Sequence, residues 1–134
     1  MKGRKPALVA VEGGADPAGC PGAPAWFTPH AAAEWRRAAP DLHRRKLLAR
    51  DTMATLESYC VAVGLIRECE EAMARDGRFI ATEGGMVAHP AFRMQASAMR
   101  EARLLAAELG LTPRRRGKHE DEVPAEVRKW SGLA

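Results

Sequence analysis

Aromatic side chains are scarce in this sequence: three Trp, three Phe and one Tyr among 134 residues. With so few large rings, and with little to bury in residues 1–27 and 114–134, the chain cannot close a large core by itself. Under 90 residues remain for the folded part by this reading, near the size at which domains borrow stability from partners. A strong homo-oligomer is therefore expected. Cysteine is sparse too, at Cys20, Cys60 and Cys69, with no CxxC pair. On one helix, Cys60 and Cys69 would sit about 180° and roughly 13 Å apart, too far to bond. Reduced, buried thiols are expected. No apolar run approaches the ~20 residues that span a bilayer, and the stretch from Pro6 to Val11 is too short for a signal peptide. A soluble, intracellular protein with no membrane partner is expected.

Catalytic and metal-binding patterns are missing as well. "GLTPRRRGK" (Gly110 to Lys118) is not a P-loop: six residues separate its glycines and His119 stands where Ser or Thr is required. It also follows a helix rather than a strand. His30, His43, His89 and His119 lie at no metal-ligand spacing from a cysteine or one another, and His89, before Pro90, is expected to be a hydrogen-bonding turn residue. Glu68, Glu70 and Glu71 spread around a helix as a solvated face. Ser58, Ser97 and Ser131 have no nucleophile-elbow context. No catalytic residue, metal or cofactor is expected, and the chain is not expected to be an enzyme.

What is present is basic charge, unevenly placed. The net charge is +4, but residues 1–50 balance at +5, residues 51–109 at −3 and residues 110–134 at +2. Basic ends flanking an acidic middle suit a helical core with polyanion-facing ends, as they suit a solubilising tail. Three patches carry the charge. Lys2, Arg4 and Lys5 lie near the N-terminus. Arg36, Arg37, Arg44, Arg45, Lys46 and Arg50 bracket the first helices. Arg114, Arg115, Arg116 and Lys118 follow the last. Repeated around an oligomer, such patches would form a ring of positive potential that grips phosphate backbone by counterion release.

Local signals predict a mainly α fold. Residues 1–27, dense in glycine and proline, read as a flexible arm, with Trp26 and Phe27 anchoring its end. Thr28 as N-cap and Pro29 at the first position open a short helix, with Trp35 turned inward; Pro40 is expected to close it after Ala39. Met53, Leu56, Cys60, Val63 and Ile66, with Tyr59 beside them, form one apolar stripe on a helix from about 51 to 76. Asp51 suits its start, Gly77 its stop, and Gly64 close packing against another helix. Phe79-Ile80 and Met86-Val87 around Glu83-Gly84-Gly85 read as a β-hairpin. From Pro90, Phe92, Ala96, Met99, Ala102 or Arg103, Ala106 and Leu109, widened by Leu104 and Leu105, predict a helix ending at Gly110, with a Schellman-type stop that folds Leu111 back. The small residues Ala96, Ser97, Ala98, Ala102, Ala106 and Ala107 permit a tight helix–helix seam. Two long antiparallel helices joined by a small hairpin result. Contacts between copies are expected at Leu56, Tyr59, Val63, Ile66, Phe92, Met99 and Leu105. Residues 28–116 form the helical oligomerisation and DNA-binding domain, and residues 117–134 a charged tail.

The order of these elements resembles a known family. "D…L…YC", a helix, "HP" and a helix ending "ELGLTPRRR" are similar to the phage terminase small subunit of the "P twenty-seven" type. The matching positions are Trp35, Asp51, Leu56, Tyr59, Cys60, His89, Pro90, Glu108, Leu109, Gly110, Leu111, Thr112, Pro113 and Arg116, over about residues 28–116. The resemblance implies a ring-forming protein of the host cytoplasm that holds duplex viral DNA at the packaging start. It also implies a separate terminase large subunit carrying the ATPase and nuclease. The Gly/Pro arm and the tail "EDEVPAEVRKWSGLA" depart from the pattern. Val123, Val127 and Trp130 there suit a short amphipathic helix, a contact for the large subunit; deleting residues 119–134 is expected to remove large-subunit capture, and unchanged capture would dispose of the idea. The rival reading is a phage or prophage assembly module that touches no nucleic acid.

Overall fold

The computed structural model describes residues 19–113, in the order α1 (Pro29–Arg44), α2 (Arg50–Asp76), β1 (Phe79–Thr82), β2 (Gly85–Ala88) and α3 (Ala91–Glu108). α2, about 40 Å long, is the central element, with α1 and α3 both packed against it. Gln95 reaches Ile66 and Glu70, while His89 reaches Asp76. Rising numbers on α3 thus meet falling numbers on α2, so the two run antiparallel. β1 and β2 pair as a two-stranded antiparallel hairpin between them.

Each helix starts where its capping chemistry lies. The Thr28 hydroxyl accepts the Ala31 N–H and Pro29 occupies the first turn of α1. α2 begins after Ala49; the Thr52 hydroxyl accepts the Ala49 N–H at 2.8 Å and donates to the Leu47 carbonyl, and Asp51 supplies the negative charge in the first turn. Gly77 ends α2 at φ +90°. Gly85, at φ +113°, takes a backbone conformation that L side chains rarely adopt just after the two-residue hairpin turn. His89 is the hydrogen-bonding turn residue expected: its Nδ1 accepts the Ala91 N–H at 3.0 Å and its Nε2 meets Asp76 at 3.0 Å. It ties the start of α3 to the end of α2.

Two expectations need correction. Pro40 does not end α1, which continues to Arg44. The helix gives up one backbone bond, to the Arg36 carbonyl. In return it carries Leu42 into the core at 0% exposure, beside Ala38 and Ala39. The apolar stripe of α3 is also rotated. Its buried residues are Ala91, Gln95, Ala98 and Ala102, whereas Phe92, Met99 and Leu104 are about half exposed. Small side chains line the α2–α3 seam because they let the two backbones approach, and the bulkier residues are left outside it. Gln95 is tolerated there because its amide donates to Glu70 at 2.7 Å.

The main core joins Trp35, Ala38, Ala39 and Leu42 of α1 to Leu56, Tyr59, Cys60 and Ala62 of α2, with Ala102 and Leu109 closing it. Residues 20–27 lie along this cluster. Cys20, Ala23 and Phe27 pack on it, and the Pro21 carbonyl accepts the Trp35 indole N–H at 2.9 Å. A second cluster, Cys69, Met73 and Ala91, pins the hairpin end of α2 to α3. Cys20, Cys60 and Cys69 are free, and burial pushes the Cys60 thiol up to about 12.

Candidate functional site

Two helix ends form one corner of the molecule. α3 finishes in a Schellman turn: the Leu111 N–H bonds the Ala106 carbonyl at 2.9 Å, the Gly110 N–H bonds Ala107 at 3.2 Å, and Gly110 adopts φ +69°. Leu111 folds back onto the core. α1 finishes in the same way, with Leu47 N–H on Leu42 at 2.9 Å and Lys46 N–H on His43 at 3.0 Å. The left-handed position here is held by Lys46, at φ +57°, not by glycine. A side chain in that conformation costs roughly 1–2 kcal/mol.

Arg45 joins the two ends. Its Nη1 donates to the Gly110 carbonyl at 3.0 Å and contacts Asp41 at 3.3 Å. Residues 65 positions apart are thereby clamped together. Arg44, paired with Asp41 at 3.4 Å, and exposed Lys46 and Arg50 lie within five residues of Arg45 in sequence. Lys46 and Arg50 have no acidic partner among the described residues. Cations near the ends of α1 and α3 suit the negative pole of each helix dipole. Arg50 is the exception, because it opens α2 at the positive pole, where a cation is unfavourable. The left-handed turn at Lys46 closes α1, but glycine would close it with less strain.

Arg114, Arg115, Arg116 and Lys118 lie outside the described residues. In sequence the run begins one residue after Pro113 and four after Gly110, so the clamp links the 44–50 patch to the segment from which this run departs.

The other basic candidates lie elsewhere. Arg36 is exposed on α1, some 12 Å of rise before Arg44. Arg37 is engaged within the fold: its guanidinium binds the Glu34 carboxylate and reaches the Tyr59 hydroxyl at 3.3 Å, while Tyr59 donates to Glu34 at 2.8 Å. Burial works against the Glu34 anion, yet the hydrogen bonds from Arg37 and Tyr59 prevail and hold its carboxyl below the usual range. Burial, with the Glu34 anion second, pushes Tyr59 up to about 12. This cluster ties α1 to α2: Glu34 is an i, i+3 partner of Arg37 on the same helix, whereas Tyr59 of α2 is one that sequence spacing did not reveal.

The residues expected at contacts between copies divide into two groups. Leu56 is completely buried inside the chain, and Tyr59 nearly so. Val63 and Ile66 are half-buried against the same core. Phe92 and Met99 stand about half exposed, and Leu105 lines an open groove. That groove, about 780 Å³, runs along α2 and α3 between Val61, Leu65, Met94 and Leu105, with Trp26 at its rim. Sequence reading missed it. Val61 and Leu65 are the signal that was available, a second i, i+4 apolar pair on α2 beside the main stripe.

Among the described residues no group of His, Cys, Asp or Glu is arranged to hold a metal ion, and no helix is long and apolar enough to cross a membrane. Compared with known proteins, residues 31–126, more than half of the chain, match the family model described as phage terminase, small subunit. No curated protein and no solved structure matches.

Proposed function

Because the chain belongs to the phage terminase small-subunit family, we propose that it is a non-catalytic DNA-packaging protein that grips duplex viral DNA at its basic corner. It works as a homo-oligomeric ring in the host cytoplasm and docks a separate large terminase subunit, with residues 119–134 as the contact. Family membership supports the packaging role. The observation that carries the DNA reading is the Arg45–Gly110 clamp, which holds the basic 44–50 segment against the end of α3, four residues before Arg114 in sequence. Lys46 and Arg50 support it: Lys46 occupies a left-handed position that glycine would hold without strain, and Arg50 places a cation at the positive pole of α2. Copies of this corner around a ring sum into a positive rim that holds phosphates without reading bases.

Salt-dependent binding to duplex DNA tests this. Log affinity is expected to fall with log salt at a slope of about −0.9 per neutralised phosphate. Lys46→Glu with Arg50→Glu should flatten the slope by about 0.9 for each phosphate no longer neutralised. Charge reversal of Arg114, Arg115 and Arg116 should do the same. Lys46→Gly separates binding from folding: it should weaken DNA binding while stabilising the protein by about 1 kcal/mol through relief of the left-handed lysine. No duplex binding at low salt, or a slope indifferent to all these changes, would sink the reading in favour of a module that contacts protein alone.

A further inference from the structure

Apolar surface is left uncovered in two places of opposite shape. One protrudes. Phe79 pairs with Ala88 and Ala81 with Met86 across the hairpin, so these four share a face. Phe79 and Met86 are 65% and 66% exposed. The other is the α2–α3 groove, whose rim residue Trp26 is 65% exposed. These three are the most exposed large hydrophobic residues among those described. The hairpin also lacks support from its own chain: of its eight strand positions only Ile80 is even half-buried. An isolated two-stranded hairpin is marginal in water and needs a surface to lean on.

Resting on the oligomer reading above, we infer that the Phe79–Met86 face of one copy's hairpin seats in the α2–α3 groove of the next copy. The dimensions agree. Four paired residues make a ridge about 13 Å long and ~4.8 Å between strands, and two packed helices leave a channel between axes 8–10 Å apart. The chemistry agrees too. Val61, Leu65, Met94 and Leu105 offer an apolar floor for a phenylalanine and a methionine. Arg93 on the groove wall is the counterpart of Glu83 at the hairpin turn. Ridge and groove are different patches of the same chain, so the contact is head-to-tail. Each copy gives its ridge to one neighbour and its groove to another, the arrangement that closes into a ring.

Engineered disulfides in the full chain test the contact, in a Cys20→Ser background. Met86→Cys marks the ridge and Ser97→Cys, an exposed groove residue, marks the groove. After mild oxidation the double variant should give a ladder of covalent multimers in denaturing gels. Each single variant should remain monomeric there, and an equimolar mixture of the two should stop at dimers. Met86→Asp, at a position too exposed to matter to the fold of one copy, should raise the dissociation constant at least ~10-fold. Cross-linking of Met86→Cys alone would mean hairpin on hairpin, and of Ser97→Cys alone groove on groove. Either result, or no cross-link in the double variant, overturns the inference. The native mass of the parent protein separates the two levels. A monomer defeats the oligomer reading itself, whereas an oligomer without the Met86–Ser97 cross-link defeats only this interface.

Discussion

Trp35→Ala is expected to destabilise the protein by about 3–5 kcal/mol, a large share of what a domain this size holds. Urea unfolding followed by circular dichroism measures it. Trp35 is 2% exposed and lies at the centre of the α1–α2 core, so truncation loses its burial and leaves a cavity that fixed helices cannot fill. Its indole N–H is also the donor to the Pro21 carbonyl, and its ring meets Phe27 edge-on at 5.8 Å. Phe27 in turn meets Trp26 at 4.7 Å. One truncation therefore releases residues 20–27 from the core and removes Trp26 from the groove rim. Self-association should fall together with stability. Trp35→Phe, which keeps a ring and loses the donor, should lose only part of this, with about 1 kcal/mol for the hydrogen bond. A loss below about 1 kcal/mol for Trp35→Ala would show that the segment and the core do not depend on it.

Gly64→Val is the second large effect, about 3 kcal/mol or more, read from the same unfolding curves. By propensity alone a glycine inside a helix should improve on substitution, by about 1 kcal/mol for alanine. Packing opposes this. A Cβ at position 64 would stand 2.9 Å from the Ala31 backbone nitrogen and 3.1 Å from its Cα and Cβ. These are two backbone atoms of the first turn of α1, where Thr28 caps the Ala31 N–H, and the Cβ fixed to them, and they cannot swing aside as a side-chain tip can. Overpacking of this kind typically costs 1–3 kcal/mol. Gly64→Ala should therefore be neutral to destabilising, and the two further methyls of valine must push α1 off α2. If Gly64→Ala proved about 1 kcal/mol more stable, the helices would not approach as closely as this.

Much of this architecture was legible in the residues. The expected 51–76 helix is Arg50–Asp76, because a sustained stripe and a terminating glycine are signals contained in the segment itself. The hairpin was legible for the same reason, as were buried Cys60 and Cys69 (Cys20 is only half-buried), the inward Trp35 and the Schellman stop at Gly110. The errors also share a cause. Pro40 carries a strong local signal for ending a helix, but Leu42 gains more by entering the core than one backbone bond is worth. On α3 the small residues Ala98 and Ala102 expected at the seam do line it, with Ala91 and Gln95, and what sequence did not separate was this face from the stripe through Phe92 and Met99.

The candidate site was legible as a set of cations and not as a place. Arg37 and Arg45 look alike in sequence, yet one is bound into a cluster with Glu34 and Tyr59 and the other clamps Gly110. The family itself was readable from the order and spacing of a few residues, and residues 31–126 bear it out. Sequence alone determined the elements, their limits apart from the end of α1, and the presence of basic charge, because periodicity, caps and turn residues act over a few positions of chain. Only the tertiary structure decided which side of α3 is covered, which arginines are engaged within the fold, and that position 45 meets position 110. Those outcomes depend on contacts between residues tens of positions apart, and no local pattern encodes which of several similar side chains arrives there.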